Sequence, residues 1–547
     1  MRILAVGLGA VHTFVAIERQ WMNPDGISYL DMGDAFLRGD WEMAVNGIWS
    51  PLYALMLAAA NQLLEPSMAW KFPVAQIVNF LVYLFALLCF EFFWRQLTFR
   101  YESLRDTDGV SVGFHPTAWL VLGYSLFIWS SLELIQLWYV TPDMTIAALV
   151  YLAAGLLLRL AATESPAPAA LALGSVLGLG YLAKAALMPL GIVCLLSTLL
   201  LPAGSLGRVK RLSLAAAAFL AVSAPMLIAL SLESGKPSFT DVSRFAYLKH
   251  VNEMPFPDFT PALDRLQGRP EHSPRRLLDN PAVLEFAEPV GGTYPMGYDP
   301  GYWTAGIEPT VSIQQQLRVL ATNLLQYFDL YIRKQGGWLG VISILGVMSL
   351  VAGVRQRSVG VEFALIGWAL AAHAMYSLVY VEPRYLAAFV VLMWAAILAL
   401  IRQPNAVSGR HLMNASAVLL AGFVWINIAS ISYKSLTNSS ASMRNQLVVA
   451  EALVAEGLRA GDEVGFIGAS FEAFWAKLVG VRITAEISPV DIAQFWQSSE
   501  SKQSEVLEAF AGAPTVAVVA QPLTVGRAPE GWRTLGETGY LLYVFPR

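Results

Sequence analysis

The sequence is short of charge: Asp, Glu, Lys and Arg make up 14% of its 547 residues, where a soluble domain carries about 25%. Water is therefore not its main solvent. Cysteine is nearly absent, and the two present, Cys89 and Cys194, fall inside apolar runs without the spacing of a zinc site or a redox pair. Both read as packing residues, with no disulfide implied. A basic excess is missing too, since 36 Lys and Arg face 40 Asp and Glu for a net charge of -4, which leaves no whole-chain footprint for nucleic acid. There is no His/Cys cluster, no internal repeat, and no matched pair of Gly/Pro-broken spans of the kind many secondary transporters carry. Residues 3–17 lack a small-residue cleavage pattern before Glu18-Arg19-Gln20-Trp21, so they read as a retained first span rather than a signal peptide.

What is plentiful is apolar surface, at 56% hydrophobic residues with 16 Trp. Runs near the length of a bilayer crossing recur from Ile3 to Ser430, each bounded by charged or Pro/Gly-rich turns. They predict spans at 3–17, 72–94, 117–132, 143–160, 168–183, 186–202, 212–231, 337–354, 361–380, 386–401 and 412–431. The count is odd, so the two termini fall on opposite sides. The short-loop cations Arg95, Arg100, Arg105, Arg159, Arg208, Lys210, Arg211, Arg355, Arg357, Arg402 and Arg410 share a side with Arg2, which assigns that side to the cytoplasm. The expected fold is thus a polytopic α-helical membrane domain over 1–432, with about eleven spans. A first loop at 18–71, a large loop at 232–336 and a tail at 443–547 all lie outside the cytoplasm. The tail changes period, alternating helical stretches with VRITAEI, TVAVVA and GYLLYVF, and predicts a small α/β domain. Gly465-Phe466-Ile467-Gly468 within it lacks the three-glycine spacing of a phosphate cradle and reads as a strand-to-helix turn.

The first loop is the most informative stretch. Asn23 suits an N-cap, Pro24 the first helical position and Gly39 the residue past the C-terminus, which predicts a short helix between them. At helical spacing Tyr29, Leu30, Met32, Phe36 and Leu37 share one side, and Ser28, Asp31, Asp34 and Arg38 the other, so the helix is expected to lie in the membrane interface. Asp25, four residues before Tyr29, falls on the apolar side of the first turn. A carboxylate there is partly desolvated, as a general base near the bilayer needs, while an acid so early in a helix equally complements the helix dipole. Spacing leaves both readings open. A second amphipathic stretch from Trp49 to Leu64 is expected along the surface.

Asp143 opens the fourth span just after Pro142, where a capping acid is the plain alternative. Lys184 and Arg384 stand at the outward ends of apolar runs, where a snorkelling lysine and a simple Arg384–Glu382 pair are the plain alternatives. Acids and cations at one depth on one face suit a substrate made of a lipid, a phosphate and something polar. His373, inside the ninth span, either lines a cavity or bonds across helices.

Together these stretches resemble the GT-C superfamily of polyprenyl-phosphate-sugar-dependent glycosyltransferases, particularly the protein O-mannosyltransferase and aminoarabinose transferase branch. The resemblance covers most of residues 1–400. It is carried by Pro24-Asp25 with Tyr29, Asn46-Gly47-Ile48-Trp49-Ser50-Pro51-Leu52-Tyr53, Thr141-Pro142-Asp143, Gly180-Tyr181-Leu182-Ala183-Lys184 and Glu382-Pro383-Arg384-Tyr385-Leu386, in that order and sidedness. It implies a catalytic acid at Asp25 and a phosphate site at Arg384 and Tyr385, which Lys184 would join. Asp143 is the second catalytic candidate, and Tyr29, Asp31, Glu382 and His373 are candidates for the cavity lining. Where many relatives carry a second acid directly after the first, Gly26 stands here. The tail after Met443 lies outside the resemblance.

The implied activity is an inverting transfer of a sugar from a polyprenyl-phosphate donor to a glycan, lipid or protein, on the outer face of a bacterial-type cytoplasmic membrane. A departing polyprenyl phosphate is a stabilised anion, so the site needs cations near the phosphate more than a general acid. A metal is not required, and a divalent cation is optional. The alternatives are a lipid-linked glycan transporter or flippase, which would use the same cations without a base, and a membrane-anchored scaffold. An acid acting at Asp25 separates the enzyme from both.

Overall fold

The computed structural model describes residues 1–106, 111–163, 166–202, 204–351, 360–437, 443–521 and 529–545. The chain opens with α1 (Arg2–Glu18), α2 (Pro24–Arg38), α3 (Pro51–Leu64) and the 36-residue α4 (Lys71–Asp106). Next come α5 (Pro116–Trp129), which runs on into a π-helical turn over Ser130–Ile135, then α6 (Asp143–Ala162), α7 (Pro166–Ala183), α8 (Leu187–Ser197) and α9 (Ser205–Glu233). The large loop ends in α10 (Ile313–Phe328), and α11 (Gly336–Val351), α12 (Gly360–Ser377), α13 (Pro383–Leu400) and α14 (Val407–Thr437) follow.

Among the described residues seven helices are long and apolar enough to cross a membrane: α4, α5 with its π turn, α6, α7, α9, α13 and α14. The protein is a multi-pass membrane protein. The spans expected at 3–17, 186–202, 337–354 and 361–380 fall on α1, α8, α11 and α12, which are shorter or less apolar, and α11 meets α10 at 75°. The bundle core is aromatic, with Tyr83, Phe90, Phe93, Phe127 and Tyr151 fully buried against one another. Cys89 and Cys194 are buried free thiols.

The bundle has two chemically distinct ends. At one, Arg100 grips Glu362 through both carboxylate oxygens, at 2.6 and 3.0 Å, and Arg402 lies 3.7 Å over the Tyr101 ring. At the other stand Asp143 and the start of α13. The 20 residues of α6 separate these ends by about 30 Å at 1.5 Å per residue. Arg355, Arg357 and the side chain of Arg105 lie outside the described residues.

A seven-stranded sheet carries the tail, but the tail does not build it alone. The large loop supplies β1 (Arg275–Asp279) and β2 (Ala282–Glu285), while the tail supplies β3 (Glu463–Ile467), β4 (Arg482–Ile487), β5 (Ala517–Ala520), β6 (Arg533–Thr534) and β7 (Leu541–Val544). The order is β6-β7-β5-β3-β4-β2-β1, parallel between β5, β3 and β4 and antiparallel elsewhere. Around it lie α15 (Arg444–Ala455), α16 (Phe474–Val479) and α17 (Glu500–Ala511). The period of two sends Val464 and Phe466 to the face shared with the rest of the core, and Ile467 to the face packed by Phe510 of α17. Gly465 is therefore a strand residue and not part of a turn, as its glycine neighbours suggested. A side chain there would meet the Phe510 ring at 2.5 Å, so glycine is kept for close packing.

Candidate active site

Four helix ends meet at the end of the bundle away from Arg402. Asp25 is the second residue of α2, Asp143 the first of α6, Lys184 directly follows α7, and Arg384 is the second residue of α13. Acids at helix N-termini and a cation past a C-terminus agree with the helix dipoles, but Arg384 opposes the dipole of α13. Its placement depends on the acids it faces.

Those acids are within reach. Lys184 Nζ donates to Asp143 Oδ1 at 2.7 Å and Thr141 Oγ1 donates to Oδ2 at 2.9 Å. Arg384 Nη1 lies 3.5 Å from Asp143 Oδ2, while its Nη2 donates to Asp25 Oδ2 at 3.1 Å. Tyr385 stacks beneath both cations, its ring centroid 3.5 Å from Lys184 Nζ and 5.2 Å from Arg384 Cζ, and Tyr139 faces the same guanidinium at 5.5 Å. Burial lowers the Lys184 pKa and Asp143 offsets part of that. Two acids and two cations thus balance, yet they are not equivalent. The Asp143 side chain is 2% exposed, Arg384 18% and Asp25 37%. Asp25 is the open carboxylate of the cluster.

Local sequence explains how the segments are held. Asn23 is extended ahead of Pro24, and Gly39 ends α2 in the left-handed region at φ 71°. The Asn23 side chain does not cap α2, however, because its Oδ1 accepts from Val140 N at 2.8 Å. Asn79 donates to the Leu137 and Tyr139 carbonyls at 3.1 and 2.8 Å, and Gln76 to those of Trp21 and Trp138. The turn that delivers Asp143 is therefore pinned to α2 and to α4. Tyr53 binds Asn79 Oδ1 at 2.5 Å and packs edge-on to Tyr29. Burial, followed by the charges of Asp25 and Asp143, raises the Tyr29 hydroxyl well above its ordinary pKa. Gly26 has a steric reason: a Cβ would meet Met22 Sδ at 2.7 Å and Val140 Cβ at 2.8 Å, so no second acid fits after Asp25. On the far side of Tyr139 lies a cavity of about 310 Å³ whose walls include Arg19, Trp21, Glu133, Trp138 and Lys434.

The remaining candidates lie apart from this cluster. Glu382 Oε2 accepts from Tyr380 at 2.9 Å and does not pair with Arg384. His373 bonds across helices, to Tyr331 at 2.5 Å, with its other ring nitrogen 2.7 Å from the Ala369 carbonyl. Asp31 is buried against Thr293 and Lys477. The large loop and the tail thus cover the face of α2 that carries Asp31. Asn79, Gln76 and Lys477 were missed from sequence. Two amides three residues apart in an apolar run were a usable signal, because polar side chains inside a span bond across helices. Among the described residues no group of three or more His, Cys, Asp or Glu is arranged to hold a metal.

No family model matches the chain, and no curated protein matches it in sequence. Its structure is similar to that of ArnT from Cupriavidus metallidurans bound to undecaprenyl phosphate, with a TM-score of 0.53 and 11% identity, over 99% of this chain and 97% of that one. The apo ArnT structure gives 0.49 at 12% identity over 95% and 92%. The Archaeoglobus fulgidus oligosaccharyltransferase AglB, in complex with an inhibitory peptide and a dolichol-phosphate, gives 0.45 at 12% over 95% and 69%. The protein shares the fold of that undecaprenyl-phosphate-bound ArnT structure along nearly its whole length.

Proposed function

We propose that the protein is an inverting glycosyltransferase that moves a sugar from a polyprenyl-phosphate donor to an extracytoplasmic glycan, lipid or protein. The observation that carries this reading is the cluster itself, an open acid and two cations at one end of the helix bundle, bridged by Arg384. Arg384 holds Asp25 at 3.1 Å. An arriving phosphate would take over Arg384 and Lys184, the strong charge-assisted partners of an anion in a low-dielectric site. Asp25 is thereby released to receive a proton. The acceptor oxygen then attacks the anomeric carbon as its proton passes to Asp25, the carbon–oxygen bond to phosphate breaks, and polyprenyl phosphate leaves held by the cations. One displacement inverts the anomeric centre. Asp143, bonded by Lys184 and Thr141, acts by orienting the cations. The cavity behind Tyr139 gives a ligand room beside the cluster.

The direct test is to add undecaprenyl phosphate to purified protein and follow its unfolding temperature and binding isotherm. Saturable stabilisation, by RT ln(1 + [L]/Kd), is expected. Absence of binding in the parent protein removes the proposal.

The same reading puts the cluster, the sheet and the tail outside the cytoplasm, in a bacterial-type cytoplasmic membrane, because the short-loop cations gather at the other end of the bundle. Protease added to right-side-out vesicles is expected to cut the tail. Protection there, with cleavage only in inverted vesicles, would reverse the orientation.

A further inference from the structure

A buried ion pair outside the cluster joins the tail to the helix that carries Asp25. Lys477 of α16 places its ammonium 2.7 Å from Asp31 Oδ1 and 2.7 Å from Asp34 Oδ2, with only 9% of its side chain exposed. Asp31 also accepts from the Thr293 amide at 2.7 Å and from its hydroxyl at 2.8 Å, so the large loop joins the same knot. Behind Lys477, the ammonium of Lys71 at the start of α4 donates to the Leu478 carbonyl at 2.9 Å, tying α16 to the bundle. The opposite face of α2 is closed by α3, where a Cβ at Gly33 would come within 3.1 Å of the Ala54 carbonyl. Burial opposes the Lys477 charge, but Asp31 and Asp34 outweigh it and hold the ammonium above its ordinary pKa.

We propose that Lys477 is a positioning residue for sugar transfer, setting the rotation and the axial register of α2 so that Asp25 meets the Arg384 cluster. The proposal rests on the transferase reading above. Asp31 and Asp34 are three residues apart and share one face of α2, so one ammonium between them fixes the helix about its axis. Asp25 stands six residues before Asp31 on the same rigid helix, about 9 Å away. Stability alone is a poor reason for such a knot, because a buried ion pair is often matched or bettered by apolar packing. Geometry is a better one, since a misplacement of about 1 Å at a reacting group costs about a hundredfold in rate.

The test compares Lys477→Met, Lys477→Arg, and Lys477→Met combined with Asp31→Asn and Asp34→Asn in the full-length protein. Lys477→Met is expected to lower kcat by about tenfold to a hundredfold, leaving undecaprenyl phosphate affinity within about twofold, because Lys184 and Arg384 are untouched. Lys477→Arg keeps a cation between the carboxylates and is expected to recover kcat to within about threefold of the parent. The combined variant removes the buried Asp31 charge and the part-exposed Asp34 charge that Lys477→Met leaves unpaired, so it folds even where Lys477→Met does not, and it is expected to show the same loss of kcat. Hydrogen exchange supplies a readout independent of transfer: amides over 29–38 should exchange faster in the combined variant while those over 386–400 stay unchanged. An unchanged kcat in the combined variant, or exchange over 29–38 equal to the parent, overturns the proposal. A parent protein that transfers no sugar sinks the transferase reading instead, and the exchange measurement still decides whether Lys477 holds α2.

Discussion

Asp25→Asn is expected to lower turnover by about two to four orders of magnitude while leaving polyprenyl-phosphate affinity nearly intact. The substitution keeps the size of the side chain and removes the base. The geometry makes this contrast sharp. Asp25 is the most exposed of the four charges and shares Arg384 with Asp143, so Arg384 keeps an anionic partner in the variant. A role confined to the helix dipole gives the opposite pattern, a stability loss of at most about 1 kcal/mol with little change in rate per folded molecule. Turnover and donor affinity measured on one preparation separate the two. A variant that transfers sugar at the parental rate removes Asp25 from the chemistry, and the transporter reading then gains.

Arg384→Ala and Lys184→Ala are each expected to weaken donor binding by about 1.5 to 3 kcal/mol, the range for a hydrogen bond to a charged group. Their side effects differ. Losing Lys184 strips Asp143, a carboxylate 2% exposed, of its 2.7 Å partner, and breaking a buried pair from one side costs about 3 to 5 kcal/mol of stability. Losing Arg384 leaves Asp143 its lysine and leaves Asp25 near solvent. Lys184→Ala should therefore unfold at the lower temperature of the two, although both lose affinity. Unchanged isotherms for undecaprenyl phosphate in both variants would reduce these cations to structural roles.

Asp143, Lys184 and Arg384 stood out in the sequence because each lies at the end of an apolar run, where a charge is costly enough to need a reason, whereas Tyr385 became a candidate only through the family resemblance and Asp25 through that resemblance and its place on the first-loop helix. Their pairing was not legible. The plain alternative for Arg384 was a pair with Glu382, its near neighbour, yet it meets Asp25 359 residues away. What covers the face of α2 that carries Asp31 and Asp34 was illegible for the same cause: periodicity reports that a face is polar, not what covers it, and Lys477 lies 446 residues beyond Asp31. In the tail, VRITAEI, TVAVVA and GYLLYVF each gave a strand, since buried strands are rich in β-branched residues. The strands β1 and β2 escaped notice because Arg275–Asp279 is short and charged, and its register is set only by the partner strand.

That borrowed pair of strands also orders the protein in time. The hairpin β1–β2 leaves the ribosome before α10 to α14, whereas β4, the strand that pairs with β2, follows all of them. Until then β2, with Ala282, Val283 and Leu284 buried in the finished sheet, has one edge without a partner. Pairing across so long a separation is slow, because the loop must close before any contact is gained. The bundle is therefore inserted first, the sheet closes across it afterwards, and the helix bearing Asp25 meets Lys477 only after α14 has been made.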